Sequence, residues 1–184
     1  MTTPHAPHLL LVGLMGAGKS TVGAACARRL GRRFVDVDDL VEDDAGMSVA
    51  EIFEQFGEED FRRRERGALH SACSLAEPLV VAPGGGAVLD PVNRETLGAA
   101  GVVVWLRAPV SVLAQRVEGS GSRPLLADGA LPTLTRLEEE RDAAYADVAT
   151  CTVSSGDLSV AETVDAVLDA FERAVSGPSG RAGR

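Results

Sequence analysis

Short runs of apolar and β-branched residues alternate along the chain with longer segments whose apolar residues follow a helical period. The short runs predict strands at Leu9–Val12, Arg33–Val35, Leu79–Val81, Val102–Leu106 and Thr150–Val153. The periodic segments predict helices at Lys19–Leu30, Asp38–Ala45, Val49–Phe56, Asp60–Leu75, Val92–Ala99, Val110–Val117, Thr133–Ala146 and Val160–Val175. Strands separated by helices form right-handed crossovers, so this order predicts an α/β protein whose parallel sheet is covered on both faces.

Two helix starts carry a local signal of their own. Ser48 precedes Glu51, and Ser159 precedes Glu162, at the spacing of a capping box. In a capping box the serine hydroxyl and the glutamate carboxylate each bind a backbone N–H of the first turn. The two pairs therefore predict where two of the helices begin.

The chain length of 184 residues suits one compact domain. We expect residues 1–7 to form a flexible leader and residues 8–175 to form that domain. Residues 176–184 are rich in glycine, serine and arginine, and their composition predicts a disordered tail.

Composition excludes several classes of protein. The net charge of −9 argues against a general nucleic-acid or anionic-membrane binder, and no apolar stretch is long enough to span a membrane. The first residues do not resemble a signal peptide. Two of the three histidines, His5 and His8, fall in or beside the leader, and none has metal-ligand spacing. The three cysteines fit neither a disulfide framework nor a zinc site, which favours a reduced, cytoplasmic compartment: Cys26, Cys73 and Cys151.

The strongest motif lies between the first predicted strand and the first predicted helix. Residues Gly13–Ser20 have the form GxxxxGK[ST], and we call this segment the phosphate loop. Its glycines let backbone N–H groups point at phosphate oxygens, and the helix N-terminus adds partial positive charge. Lys19 would reach the β- and γ-phosphates and Ser20 would bind Mg²⁺. The flanking strand and helix disfavour a chance glycine-rich turn, so the sequence predicts binding of a nucleoside triphosphate.

An acidic cluster, Asp36-Val37-Asp38-Asp39, follows the second predicted strand. If Asp36 and Asp38 continue the strand, their side chains leave on opposite sides. One would then face metal and phosphates, and the other would face an acceptor hydroxyl and accept its proton. The alternative is a solvated helix N-terminus without a catalytic role.

An arginine cluster opens the long helix that follows Gly57. Arg62 lies on one helical face with Glu65 and with Arg66. At least one arginine here is a candidate for binding a substrate carboxylate, since a guanidinium can bind it through two hydrogen bonds. For Arg63 and Arg64 we favour solvent-facing salt bridges.

Three consecutive glycines, Gly84–Gly86, follow the third predicted strand, and we call them the glycine loop. Glycine is entropically unfavourable in a folded chain, so the run predicts that some group approaches the backbone closely. A loose hairpin turn is the alternative. This strand ends without an acidic residue, so metal binding would depend on Ser20, the phosphates, waters and Asp36.

A polar, glycine-rich segment follows the helix that ends near Val117. We expect a mobile lid over about residues 118–131 that brings Arg123 to the transferring phosphate and excludes water. A flexible surface loop is the alternative. Further on, Arg141 lies on a predicted helix, either as a second anion contact or as a partner in an intrahelical salt bridge.

The order of these motifs closely resembles that of shikimate kinase, a member of the nucleoside-monophosphate-kinase branch of P-loop proteins. The resemblance extends from Leu9 to Ala174, and the combination of Phe61-Arg62 with the glycine loop is its specific part. It implies a three-layer αβα P-loop NTPase fold with a five-stranded parallel sheet and a lid. It also implies a monomer that uses ATP and Mg²⁺ to phosphorylate the 3-hydroxyl of shikimate in the route to chorismate.

The resemblance assigns roles to particular positions. It implies that Asp38, Lys19 and Arg123 are catalytic, that Asp38 also binds the shikimate hydroxyls, and that Arg116 flanks adenine. Nucleotide phosphates would contact Gly16, Ala17, Gly18, Lys19, Ser20, Thr21 and Arg123, and metal would contact Ser20 and, through water, Asp36. Shikimate would contact Asp38, Arg62, Glu65, Gly84, Gly85, Gly86 and Arg141. Residues 155–160 lack the arginine and proline often found beside adenine, so we assign no adenine contact there.

Two other hypotheses stay in consideration. A gluconate-type or nucleoside-monophosphate kinase would share the phosphate loop, but neither predicts Phe61-Arg62 together with the glycine loop. A non-catalytic module that binds ATP or shikimate would not need Lys19, Ser20, Asp38 and Arg123 intact.

Overall fold

A parallel sheet organises the protein, whose computed structural model describes residues 6–118 and 129–177. Its strands are β1 (His8–Val12), β2 (Phe34–Asp36), β3 (Val80–Ala82), β4 (Gly101–Arg107) and β5 (Cys151–Ser154). They form a five-stranded sheet in the order β2-β3-β1-β4-β5, and every pairing is parallel. Each predicted strand differs from the observed one by a single residue at most at either end. The predicted parallel sheet is confirmed.

Helices flank this sheet and join its strands. They are α1 (Lys19–Leu30), α2 (Val37–Ala45), α3 (Val49–Cys73), α4 (Pro91–Ala100), α5 (Val110–Glu118), α6 (Ala130–Val148) and α7 (Val160–Ser176). A short 3-10 turn at Ala87–Leu89 precedes α4. The predicted capping boxes are present at the starts of α3 and α7 and confirm both helix starts.

Two helices, α3 and α6, differ from their predicted bounds by more than one residue at an end. The predicted helices Val49–Phe56 and Asp60–Leu75 are the two arms of α3, which bends at Gly57, where φ is 79° and ψ is 174°. A positive φ of this kind suits glycine because it has no Cβ. Helix α6 begins at Ala130, earlier than the predicted Thr133. Pro132 lies in its first turn, where the missing N–H would have no intrahelical partner.

The core surrounds the central strand β1. Leu9, Leu10 and Leu11 are completely buried, because β1 lies between β3 and β4 and has helices on both faces. Such strands have continuous apolar sequences rather than alternating ones. A smaller apolar cluster of Val41, Ile52 and Phe61 joins α2 to α3. The parallel register brings the carboxyl ends of the strands to one edge, where ligands of α/β sheets bind.

His8 belongs to this core rather than to the leader with which the sequence grouped it. It is the first residue of β1 and is buried, and its Nδ1 accepts a hydrogen bond of 2.9 Å from the backbone N–H of Leu79. Burial lowers the pKa of the imidazole. His8 therefore links the start of β1 to the segment before β3.

Residues 1–5 and 178–184, and the predicted lid residues 119–128, lie outside the described residues. Ser176, which was expected in the tail, ends α7. The three cysteines form no disulfide. In the described ranges, no helix combines the length and the apolar character that a membrane crossing requires.

Candidate active site

A cleft of about 770 Å³ opens at the carboxyl edge of the sheet. Its walls come from the phosphate loop, the glycine loop, the starts of α1 and α2, and the facing sides of α3 and α6. Every predicted site residue that the structure describes lines it: Gly16, Ala17, Gly18, Lys19, Ser20, Thr21, Asp36, Asp38, Arg62, Glu65, Gly84, Gly85, Gly86, Arg116 and Arg141. Arg123 is the one predicted site residue outside the described ranges.

The phosphate loop has a backbone conformation that its glycines make possible. Gly16 has φ of 81°, and Gly18, the N-cap of α1, has φ of 95°. A Cβ at Gly13 would collide with the carbonyl oxygen of Leu106. Lys19 Nζ donates to the carbonyl oxygen of Gly13 at 2.8 Å, which holds the ammonium group beside the loop. The loop and the N-terminus of α1 therefore form a concave, positively polarised surface suited to phosphate.

The start of α1 meets the end of β2 through a short hydrogen bond. Ser20 Oγ donates to Asp36 Oδ2 at 2.7 Å. The other carboxylate oxygen, Asp36 Oδ1, accepts from the backbone N–H of Asp38 at 3.1 Å and caps α2. Asp36 is thus fixed in orientation with its carboxylate directed at the phosphate-loop serine.

The Ser20 hydroxyl and the Asp36 carboxylate fit a magnesium ion most of whose ligands are waters and substrate phosphates. Mg²⁺ typically binds one or two protein oxygens and completes its octahedron with waters and substrate phosphates. Across residues 6–118 and 129–177, no group of three or more His, Cys, Asp or Glu side chains forms a metal cluster. Ser20 and Asp36 lie beside the phosphate loop and could supply the protein oxygens of such a site.

The expectation that Asp36 and Asp38 alternate along a strand is wrong. Strand β2 ends at Asp36, and α2 begins at Val37, so Asp38 lies in the first turn of a helix. The two carboxylates nevertheless face different neighbours. Asp36 faces Ser20, whereas Asp38 faces the glycine loop, since a Cβ at Gly84 would lie 2.8 Å from Asp38 Oδ1.

Asp38 titrates near neutrality. Burial raises the pKa of its carboxyl to about 6, and the negative charges of Glu65 and Asp36 act in the same direction. The positive charges of Lys19 and Arg62 oppose the shift. A carboxylate with this pKa can both accept and release a proton near pH 7.

Glu65 and Arg62 form a partly buried ion pair beside Asp38. Glu65 is completely buried, and Arg62 Nη1 donates to its Oε2 at 2.8 Å. Burial raises the pKa of Glu65, and the positive charges of Arg62 and Arg141 oppose that shift. Glu58 accepts from Arg62 Nη2 at 3.2 Å, so carboxylates hold the guanidinium from two sides. The remaining arginines of the cluster pair with Asp60 or Asp90 and do not line the cleft: Arg63, Arg64 and Arg66.

The glycine loop is crowded by these same side chains. A Cβ at Gly84 would collide with Glu65 Oε1, and a Cβ at Gly86 would lie 2.5 Å from Arg62 Nη2. The close approach expected from the sequence is therefore made by charged side chains. The hairpin alternative is wrong, because the loop continues into a 3-10 turn and α4.

Three buried polar atoms in the cleft have no hydrogen-bond partner among the described residues: Asp38 Oδ1, Glu65 Oε1 and Arg141 Nε. Buried polar groups in proteins are normally hydrogen-bonded, so three such atoms around one cavity indicate a polar ligand. The two carboxylate oxygens suit hydroxyl donors, and the guanidinium suits an anionic acceptor. In the described part of the chain, Arg141 makes no intrahelical salt bridge, which disfavours the structural alternative left open by its sequence.

At the opposite end of the cleft lies Ser155, to which the sequence analysis assigned no role, next to the predicted site residue Arg116. Arg116 Nη2 donates to the carbonyl oxygen of Ser155 at 2.6 Å, and Arg116 Nη1 donates to that of Gly16 at 3.3 Å. Ser155 is buried, and its Oγ lies 3.2 Å from the carbonyl oxygen of Ala17. Ser155 and Arg116 together join the phosphate loop to the segment between β5 and α7. The available signal for Ser155 was its position two residues after the last predicted strand, at the carboxyl edge of the sheet.

A parallel sheet with flanking helices, and a GxxxxGK[ST] loop that joins its central strand to α1, define a P-loop NTPase. The cleft beside that loop contains the Asp38 carboxylate, whose pKa burial raises to about 6, and two arginines, Arg62 and Arg141. This is the arrangement of a small-molecule kinase.

Comparisons with known proteins assign the chain to a family. The family model described as shikimate kinase matches residues 15–172. Shikimate kinase of Bordetella pertussis is 42% identical over 166 residues, which cover 90% of this chain and 78% of that protein. Shikimate kinase of Geobacter sulfurreducens is 48% identical over 141 residues, covering 76% of this chain and 77% of that protein. The solved structure of shikimate kinase from Acinetobacter baumannii in complex with shikimate has a TM-score of 0.85 at 39% identity, covering 89% of this chain and 92% of that one. The chain belongs to the shikimate kinase family and is a kinase.

Proposed function

We propose that the chain transfers the γ-phosphate of ATP to the 3-hydroxyl of shikimate and releases shikimate 3-phosphate and ADP, a step on the route to chorismate. The observation that carries this proposal is the set of unpaired buried atoms beside the phosphate loop, Asp38 Oδ1, Glu65 Oε1 and Arg141 Nε. Shikimate has hydroxyl groups on one side of its ring and a carboxylate on the other. Its polarity therefore matches the carboxylates and the guanidinium that face the cleft.

Two arginines hold the shikimate carboxylate in this proposal. Arg62 and Arg141 approach the glycine loop from α3 and α6, and a charge-assisted hydrogen bond to each fixes the acceptor. Glu65 keeps Arg62 in place through their 2.8 Å contact. The glycine loop leaves room for the ring because none of its residues carries a Cβ.

Asp38 orients the 3-hydroxyl and accepts its proton. The hydroxyl oxygen forms a bond to the γ-phosphorus while the bond from that phosphorus to the bridging oxygen of ADP breaks. The proton passes to the Asp38 carboxylate, whose pKa of about 6 leaves it mostly ionised at pH 7.

Nucleotide phosphates are held by residues 16–21, and Lys19 neutralises the charge that develops on them. Ser20 and Asp36 would hold Mg²⁺, which supplies further neutralisation of phosphate charge when bound. Arg116 and Ser155 hydrogen-bond to the phosphate-loop carbonyls of Gly16 and Ala17. They thereby fix the loop at the end of the cleft where Arg116 would flank adenine. Arg123, in the predicted lid between α5 and α6, would complete the contacts to the transferring phosphate; of the predicted lid bounds 118–131, Glu118 ends α5 and residues 130–131 begin α6.

An acceptor screen tests this proposal. Purified protein receives ATP and Mg²⁺ with shikimate, gluconate or AMP, and ADP release is followed by a coupled assay. We expect turnover with shikimate at least about 100-fold above the other acceptors, since a site that binds both ends of a polar ligand rejects analogues strongly. Preferred turnover with gluconate or AMP would favour a related kinase. Binding of shikimate and ATP without ADP release would favour a non-catalytic module.

We also propose that the protein acts as a monomeric domain, residues 8–175, in the cytoplasm. The family resemblance favours a monomer, and the free cysteines suit a reducing compartment. Sedimentation at assay concentrations should give a mass near 19.1 kDa. A dimer mass would refute the monomer.

A further inference from the structure

Tyr145 lies beneath the glycine loop, and the chemistry proposed above does not use it. It is 1% exposed, and its hydroxyl donates to the carbonyl oxygen of Gly85 at 2.6 Å. Tyr145 lies one helical turn after Arg141 on α6, so the two side chains are neighbours on one helical face. The phenol therefore contacts the middle of the glycine loop beside a guanidinium that faces the cleft.

Gly85 has the Tyr145 hydroxyl and the Arg141 guanidinium as neighbours. A Cβ at Gly85 would lie 3.4 Å from Arg141 Nη1 and 3.6 Å from the Tyr145 hydroxyl oxygen, so both groups lie directly against the loop. Burial raises the pKa of the Tyr145 hydroxyl, which keeps it protonated as a donor. One hydroxyl thus donates to the loop and lies beside Arg141.

The ring of Tyr145 is itself fixed by packing. It stacks on Trp105 of β4 with a centroid distance of 5.5 Å and an interplanar angle of 25°. The guanidinium of Arg107 lies 4.9 Å from the Trp105 centroid and pairs with Asp142 of α6 at 3.2 Å. This stack holds α6 to the sheet and leaves the Tyr145 hydroxyl little freedom to move.

We infer that Tyr145 is a positioning residue for the acceptor carboxylate: its hydroxyl sets Arg141 and the Gly85 carbonyl in the orientation that binds the acid. This inference rests on the proposed function, since the carboxylate is that of shikimate. Tyr145 does not touch the acceptor and acts through Arg141.

The test is a Tyr145→Phe variant, which keeps the ring and its stacking and removes the hydroxyl alone. We expect the KM for shikimate to rise about 5- to 30-fold, because the buried Gly85 carbonyl loses its donor and the Arg141 guanidinium loses a polar neighbour. The KM for ATP and kcat should change less than about threefold, since the phosphate loop and Asp38 are untouched. In an Arg141→Gln background the same Tyr145→Phe change should alter the KM for shikimate less than about threefold.

Asn93→Ala is the matched control. Asn93 is buried on α4, and its Nδ2 donates to the carbonyl oxygen of Ala87 at 2.9 Å, directly after the glycine loop. It therefore supports the same segment through a bond to Ala87 rather than to Gly85. We expect a similar loss of thermal stability with an unchanged KM for shikimate, and Asn93→Ser replaces it if the alanine variant does not fold.

Two results would overturn the inference. One is an unchanged KM for shikimate in Tyr145→Phe, and the other is an equal rise in Tyr145→Phe and Asn93→Ala, which would show general loosening of the loop. Wild-type turnover of shikimate is measured in the same experiment. Its absence would refute the proposed function itself, whereas the two results above leave that function intact.

Discussion

At the scale of single residues, the cleft contains carboxyl groups that do not favour folding. Burial raises the pKa of both Asp38 and Glu65, which means that their ionised forms are less stable in the folded protein than in the unfolded chain. Glu65 has Arg62 as a partner, but Asp38 Oδ1 has none among the described residues. The free energy of unfolding is therefore lowered at the position where the proposed chemistry needs a proton acceptor.

Replacing Asp38 with asparagine should separate activity from stability. We expect Asp38→Asn to lower kcat about 100-fold or more, because the hydroxyl loses its proton acceptor. The same change should raise the free energy of unfolding at pH 7 by roughly 1–3 kcal/mol, since a charge is no longer buried. Steady-state kinetics and urea unfolding measure the two effects. Asp43→Asn, an exposed change on the same helix, is the control and should alter neither. Near-wild-type turnover in Asp38→Asn would remove Asp38 from its proposed role.

The raised pKa of Asp38 predicts opposite pH trends for activity and stability. Activity should rise with pH through about 6, as the carboxyl becomes the ionised base. Stability should change in the opposite direction. The pKa of Asp38 is higher in the folded protein than in the unfolded chain, so the protonated carboxyl favours folding. This contribution to the free energy of unfolding is fully present below the unfolded pKa and is lost as the pH rises through about 6. The comparison of wild type with Asp38→Asn between pH 4 and pH 8 isolates both trends. Identical pH dependence of unfolding in the two proteins would contradict the assignment.

The arginine cluster offers a matched pair of substitutions. Arg62→Lys should raise the KM for shikimate about 10-fold or more, since a lysine cannot make the bidentate contact with a carboxylate while it still compensates Glu65. Arg63→Lys should change nothing, because Arg63 pairs with Asp60 on the exposed side of α3. Steady-state kinetics at saturating ATP measure both. A larger effect from Arg63 would place the carboxylate contact elsewhere in the cluster.

At the scale of elements, prediction succeeded where the signal was local. The strands, α1 and the capping boxes follow from runs, periods and pairs within a few residues. The predicted direction of the Asp38 side chain was wrong because β2 ends at Asp36, inside the acidic motif. The Asp36 side chain then caps α2, so Asp38 lies in a helix rather than in a strand. The structural support by Tyr145 and Ser155 depends on packing between distant segments, which no local pattern encodes.

The glycine loop gives an element-scale test. Gly84→Ala places a methyl group against Glu65 and Asp38, and we expect it to lower the free energy of unfolding by about 1–3 kcal/mol and to abolish detectable shikimate binding. Gly98→Ala is the control, since a Cβ added there would meet no described atom within 4 Å outside its own stretch of α4, and alanine is favoured over glycine in a helix. Calorimetric titration and thermal melts measure both. Full shikimate binding by Gly84→Ala would show that the loop does not line the acceptor site.

At the scale of the whole molecule, the sheet topology brings the site together. Elements far apart in sequence end at one edge, so the phosphate loop after β1, the acidic motif after β2 and the glycine loop after β3 surround one cleft. The sequence predicted that convergence because parallel strands must present their carboxyl ends together. It did not predict that α6 would complete the cleft with Arg141, which required the family resemblance. The net charge of −9 is compatible with this site, because Lys19, Arg62, Arg116 and Arg141 line the cleft and make it locally basic.

Identification of the phosphorylated atom tests the proposed phosphoryl transfer most directly. Protein, ATP, Mg²⁺ and shikimate are incubated, and the products are analysed by phosphorus NMR with proton–phosphorus correlation. We expect one new phosphate ester coupled to the proton on carbon 3 of shikimate, formed in equal amount to ADP. An ester at another hydroxyl, or free phosphate in place of an ester, would contradict the proposed alignment of the 3-hydroxyl with Asp38 and the phosphate loop.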